Sequence, residues 1–335
     1  DLVLTGGGTY RRVTKVFRRR YHGKLYRIQV RGLPFNLTVT EDHPILASLR
    51  DAKGWNDGRL VPLSEYKPEP TWLTPNMLRE GDLLATPILK DVEHIDRLKV
   101  IFEDEEYELP VDDRLARLLG YYAADGSCCV KCQRRRGNPD AYIINIAFNN
   151  DEEDYMEDAY NLLSEVFDGK PYLVRKPTYT VVWLSSKLAY AVFSPLGYSV
   201  NRTLPEWTIV LPTDLQKEIV VGCWRGDGSL LNRPRARYFS IHTRSPSLMW
   251  QLLMMLYRLG FLPTVTRYRG GGFKPGDTYM ISIHGPDLER FADMVGVKAE
   301  FPRNRTWRVQ CSDGDFVYHP VKRVECSVEE LEVYN

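Results

Sequence analysis

Two acids in this 335-residue chain stand where their charge is poorly placed unless it serves chemistry. Asp125 and Asp227 close the segments Gly120-Tyr-Tyr-Ala-Ala-Asp-Gly126 and Gly222-Cys-Trp-Arg-Gly-Asp-Gly228. Each segment has small residues four apart, Gly120 with Ala124 and Gly222 with Gly226, a spacing that leaves one helical face without bulk. Two such helices in parallel can bring their backbones unusually close, and their C-termini with them. An acid at a helix C-terminus meets the negative end of the dipole, and two together repel further. A hard divalent cation between the carboxylates resolves both conflicts, and magnesium with open water positions suits oxygen donors. Metal so held can activate water and stabilise the leaving oxygen in phosphodiester hydrolysis. The glycine after each acid predicts a left-handed helix stop.

The elements that must position these acids recur in sequence. Asp112 or Asp113 caps a helix carrying Leu115, Leu118, Leu119 and Tyr122 on one face. Tyr142 to Phe148 alternates as a strand, Asp151 to Phe167 is an amphipathic helix, Tyr179 to Leu184 a strand, and Lys187 to Leu196 a short helix. The second copy places a helix capped by Thr213, a strand at Tyr238 to His242, a helix at Ser247 to Leu259, strands at Leu262 to Arg269 and Tyr279 to His284, and a helix at Pro286 to Val295. Upstream, Arg12 to Phe17, Leu25 to Val30 and Phe35 to Val39 read as strands between glycine turns, and Trp72 to Pro87 as strand, turn and strand.

Composition sets outer limits. The chain is 43% hydrophobic and 27% charged, as ordinary globular proteins are, and its length predicts two or more domains. No apolar run reaches membrane-spanning length and no leader is recognised, so an intracellular location is expected. Lysine and arginine number 45 against 44 acids, a formal charge of +1, but the basic residues bunch. Arg134, Arg135 and Arg136 form one stripe, Arg233, Arg235 and Arg237 another, and Arg267, Arg269 and Lys274 a third, each able to neutralise phosphates. The 6 cysteines make no disulfide framework at this length. Cys129 and Cys132 have zinc-knuckle spacing, but no second ligand pair follows.

The segments Leu118 to Gly126 and Val220 to Gly228 resemble the two motifs of single-chain LAGLIDADG homing endonucleases, and the resemblance extends over roughly residues 111 to 300. It implies an α+β, pseudo-twofold duplicated αββαββα fold that reads a long asymmetric double-stranded DNA target with antiparallel sheets, as a monomer. It makes Asp125 and Asp227 the metal ligands, with Mg2+ as cofactor and Ca2+ or Mn2+ able to substitute. The basic residues that family uses near the metal map onto Arg202 and Lys298. Arg237, His242, Arg267, Arg269 and Tyr142 are then expected on DNA-reading strands, with Arg134, Arg135, Arg136 and Lys274 on flanking loops.

The flanks resemble a second family, the Hint domains of inteins, through Leu2 to Gly8, Tyr21 to Ile28 and Thr40-Glu-Asp-His43, with return strands after about residue 320. In that family a Thr-x-x-His pair, here Thr40 and His43, assists an acyl shift begun by a first-position nucleophile. Asp1 supplies none and Asn335 has no histidine before it, so splicing is not expected of this chain. The expected parts are a Hint-like segment over 1–95, endonuclease repeats over 96–213 and 214–300, and a second Hint-like segment over 301–335. Two other functions remain open: an autoprocessing protein with a decayed nuclease, and a LAGLIDADG scaffold that only binds DNA or RNA.

Overall fold

The computed structural model describes residues 2–50, 67–131, 140–234, 236–270, 276–301 and 309–334, and the backbone of the short strands Trp55–Asn56 and Arg59–Leu60. Arg134, Arg135, Arg136, Arg235, Lys274 and Cys132 lie outside the described residues.

Helix α1 (Asp113–Asp125) begins where the sequence demands it: the Asp112 carboxylate accepts from the backbone N–H groups of Arg114 and Leu115, each at 3.1 Å. Gly126 then starts strand β5 (Gly126–Lys131), and strand β6 (Ala141–Asn149), helix α2 (Glu153–Phe167), strands β7 (Tyr172–Arg175) and β8 (Tyr179–Ser185), and helix α3 (Lys187–Phe193) follow. The second repeat has the same order: α4 (Thr213–Asp227), β9 (Gly228–Arg233), β10 (Ala236–Thr243), α5 (Pro246–Arg258), β11 (Thr264–Arg269), β12 (Asp277–Ile283) and α6 (Leu288–Val295). The two four-stranded antiparallel sheets are wired alike, β5-β6-β8-β7 and β9-β10-β12-β11. This is the expected αββαββα plan, twice.

The flanking sheet has seven strands and draws on both ends of the chain. Its long members are β1 (Arg18–Val30), β2 (Asn36–Thr40), β3 (Ile45–Ser48), β4 (Leu83–Pro87) and β13 (Phe316–Tyr334). Strand β13 changes partner midway: Phe316 to Pro320 pairs with β4, and Val321 onward with β1. The flanking sheet has a core of Ile28, Val39, Ile45, Ala47, Leu78 and Val321, while a larger cluster around α1 and α4 fills the repeats and takes in Val317 of β13.

Four sequence expectations change. Arg12 to Phe17 contributes only the end of a short hairpin, Leu2–Leu4 with Tyr10–Arg12. Thr213 is the first helical residue of α4 and Pro212 holds the cap position without a side-chain bond. The strands around Gly81 do not pair with each other, since Thr71–Leu73 and β4 both pair with β3. The strands β5, β7 and β9 went unread, because they follow glycine or lie largely exposed and so carry little alternation.

Candidate active site at the paired helix ends

Helices α1 and α4 touch along the glycine faces. A Cβ added to Gly120 would sit 2.9 Å from Gly222 Cα and 2.8 Å from the Cys223 nitrogen, and one added to Gly226 would sit 2.5 Å from the Ala124 Cβ. Gly120 faces Gly222 and Ala124 faces Gly226, so the helices run parallel and end together. Leu118, Leu119, Tyr121, Ile219, Val220 and Val221 close over this seam, each fully buried; removing such a side chain from water stabilises by roughly 1.5–3 kcal/mol.

Neither helix ends in a left-handed residue. Gly126 has φ −78° and Gly228 φ −91°, extended values any residue adopts. Glycine is required there for space instead: a Cβ on Gly126 would run into the ring and carbonyl of Tyr122, and one on Gly228 into Trp224. The chain therefore turns straight from helix into the first strand of each sheet, with Asp125 and Asp227 at the corner.

Both carboxylates touch water yet sit in crowded surroundings. Desolvation pushes Asp125 up to about 6, opposed by Arg202 and reinforced by Glu152. Desolvation pushes Asp227 up to about 7, with the charges of Asp125 and Glu152 adding to it. The two acids thus feel each other, as the sequence spacing implied. Among the described residues no group of three or more His, Cys, Asp or Glu side chains is placed to hold a metal ion. Two carboxylates with raised proton affinity fit a hard divalent cation whose remaining ligands are waters or substrate oxygens.

A cleft of about 210 Å³ opens beside them, lined among others by Ala124, Asp227, Ser199, Arg202, His242 and Arg244. Ser199 is a non-glycine residue at φ +52°, a strained conformation of the kind that gathers at working sites. Arg202 is only 6% exposed, and both terminal nitrogens are used: one donates to Tyr122 O at 2.9 Å, the other to Gly126 O at 2.6 Å. Its guanidinium also lies 5.0 Å from the Tyr122 ring centroid. It fastens the end of α1 from behind. Lys298, expected as its counterpart, is exposed and has no polar partner among the described residues.

Arg225 points the other way, donating to Asp158 at 3.1 Å and to Val295 O. Asp158 also accepts from Arg117 at 3.2 Å and the Tyr121 hydroxyl at 2.7 Å, and Arg117 reaches Glu218. Residues of both repeats are thereby tied to one carboxylate. Glu152, Ser199 and Asp158 were not singled out from sequence. Glu152 lies within the Phe148-Asn-Asn-Asp-Glu-Glu stretch, but nothing in its spacing said that its charge reaches the paired acids.

Register sorts the expected DNA-reading residues. Ser229, Ser240 and Ser282 are cross-strand neighbours, Ser240 and Ser282 buried, and His242 pairs with Met280 on the same face. Arg237 and Arg267 have the opposite parity, that of the buried Phe239, Ile241 and Ile281. Arg237 donates to Asn232, and Arg267 pairs with Asp277. Arg269 shares their parity and is exposed. Tyr142 packs against Phe102 and Tyr190 and donates to Glu103. Of the described members of this set, His242 alone lines the cleft. On the flanking sheet, Thr40 is buried and donates to Asp42 at 2.5 Å, while His43 is exposed.

Residues 214–296, the second repeat, match the family model of the LAGLIDADG-like domain. The whole chain aligns with part of the ATP-dependent DNA helicase Hel308 of Thermococcus kodakarensis at 24% identity, covering 100% of this chain and 32% of that protein. It aligns likewise with an iron-sulfur cluster assembly SufBD family protein of Mycobacterium tuberculosis at 28% identity, covering 100% and 38%. The chain thus spans well under half the length of these curated relatives. A crystal structure of I-DmoI in complex with DNA and Mn superposes on 57% of this chain and 99% of its own, with 19% identity and a TM-score of 0.43.

Proposed function

We propose that this chain is a divalent-metal-dependent, site-specific endonuclease that cuts both strands of DNA. The observation that carries the reading is the pair Asp125 and Asp227, held at adjoining helix ends with raised proton affinity, with Asp227 lining an open cleft. When bound, a cation such as Mg2+ would be held by these two side chains and would supply charge for phosphodiester hydrolysis. The protein's own residues set the stage. The glycine seam fixes the spacing of the acids, Arg202 holds the α1 end, and Arg225 and Arg117 on Asp158 hold the helix pair to α2. Two repeats in one chain give a twofold arrangement without a second copy, which suits a monomer and a long target whose halves differ. Among the described residues no helix is long and apolar enough to cross a membrane.

The flanking sheet belongs, in this reading, to the remains of a Hint domain. What supports it is recurrence: one segment of this length lies within a helicase and within a cluster-assembly protein, as an inserted element would. Thr40 and His43 stand one turn apart on its edge.

The test is selection of cleaved duplexes from a randomised DNA library with Mg2+, run beside Asp125→Asn and Asp227→Asn. Defined double-strand breaks with wild type and none with either variant are expected. Sequence-specific retention of duplex by wild type without cleavage would replace the nuclease by a binding module.

A further inference from the structure

A groove of about 780 Å³ follows the seam between the flanking sheet and the second repeat. Arg31 and Lys322 line one wall, and Thr266, Arg267 and Arg269 the other. Its floor is fixed by a backbone hydrogen bond of 2.8 Å from Val265 N–H on edge strand β11 to Gly32 O in the turn after β1. Among the described residues four cations line it, and no carboxylate does. The acids that meet these cations stand outside the lining: Asp277 against Arg267, and Glu80 at 3.5 Å from Arg31.

Lys322 reaches the groove through an irregularity of the ladder. Val321 pairs with Val30 and Arg323 with Gln29, so Lys322 is an extra, unpaired residue. A bulge re-aims one side chain at the cost of a ladder position. Here the side chain so turned is an exposed lysine with no polar partner among the described residues. Arg267 and Arg269 share the face of Phe239, Ile241 and Ile281, and on edge strand β11 they line this groove beside the flanking domain.

We propose that this groove is a second DNA-backbone contact, through which the flanking β domain grips phosphates beside the half-site held by the second repeat. The proposal rests on the DNA reading above and adds to it a binding role for residues outside both repeats. A cation-lined, acid-free groove beside a DNA-reading sheet suits successive phosphates, each neutralised charge releasing a counterion.

The experiment uses the full chain carrying Arg31→Gln and Lys322→Gln, residues outside the metal site, with Arg31→Lys and Lys322→Arg as the conservative control. Duplex affinity is measured across a salt series with Mg2+ omitted, and a footprint is taken. The double glutamine variant should show a log-log salt slope shallower by about two, at roughly 0.9 per phosphate, with the control near wild type. Protection should shorten on one flank only, and cleavage at saturating duplex should stay unchanged. An unchanged slope and footprint in a variant with wild-type melting would overturn the groove while leaving the nuclease reading intact. Occupancy by inorganic phosphate, with no effect of the variant on duplex binding, would also overturn it. Wild-type protein that retains no duplex would remove the DNA reading and the groove together.

Discussion

The two repeats share a backbone plan down to strand order, yet the basic groups beside their motif acids differ. Behind Asp125 a buried arginine spends both nitrogens on the α1 terminus. Lys298, expected behind Asp227, is exposed without a partner among the described residues, and its charge is not among those that act on Asp227. Asp227 instead shares a cleft with His242, and both acids hold their protons more tightly than an ordinary carboxylate. Backbone symmetry places two carboxylates together; side-chain asymmetry makes them chemically unequal.

The largest effect should come from the acids themselves. Asp125→Asn and Asp227→Asn should each slow double-strand cleavage by roughly a thousandfold, about 4 kcal/mol. Strand-resolved gels should show different residual nicks for the two variants; identical nicking patterns would break the inequality argued above. Next comes the seam both repeats share. Gly222→Leu puts a side chain where the Gly120 Cα already lies 3.0 Å from an added Cβ. Overpacking of this kind should cost about 3 kcal/mol, read as a melting temperature lower by roughly 10 °C.

The arginine comparison is finer. Arg202→Met strands two carbonyls in a buried setting and should cost about 1–3 kcal/mol, whereas Lys298→Met should stay within about 0.5 kcal/mol. Equal effects in urea titrations would erase the distinction between the two helix ends. The smallest effect is one of pH. The folded chain holds the Asp227 proton up to about 7, while the ordinary carboxylate value is 3.8. Ionising it therefore destabilises the metal-free fold as pH rises from 4 through 7. Asp227→Asn should be more stable than wild type in EDTA at pH 8, with the gain gone by pH 4; urea midpoints at the two pH values measure it. Mg2+ should shift the balance back toward wild type.

Much of this was legible in the residues. Small residues four apart, an acid and a glycine, repeated with the same following pattern, were enough to place both helices, their parallel contact and the meeting of Asp125 with Asp227. That contact is local sterics carried by positions within two short segments. The order of the longer strands and helices followed from periodicity, while β5, β7 and β9 did not, because exposed strands after glycine show no alternation. The basic residues were read by type, and type does not say which face a side chain takes. A shift of one position exchanges the faces of a strand, and that parity sent Arg237 and Arg267 away from His242.

The sequence by itself determined that two small-faced helices end in acids and that one succession of helices and strands recurs after each, since each of these is a short-range pattern of size and polarity; the full αββαββα plan came from the family resemblance. Only the tertiary structure decided that Arg202 is a buried fastening, that the charge of Glu152 reaches both acids, and that residues near 30 and 322 share a groove with strand β11. Those are contacts between segments far apart in the chain. Their existence depends on register, on one bulge and on how two sheets are seated, and none of these is written in any single stretch.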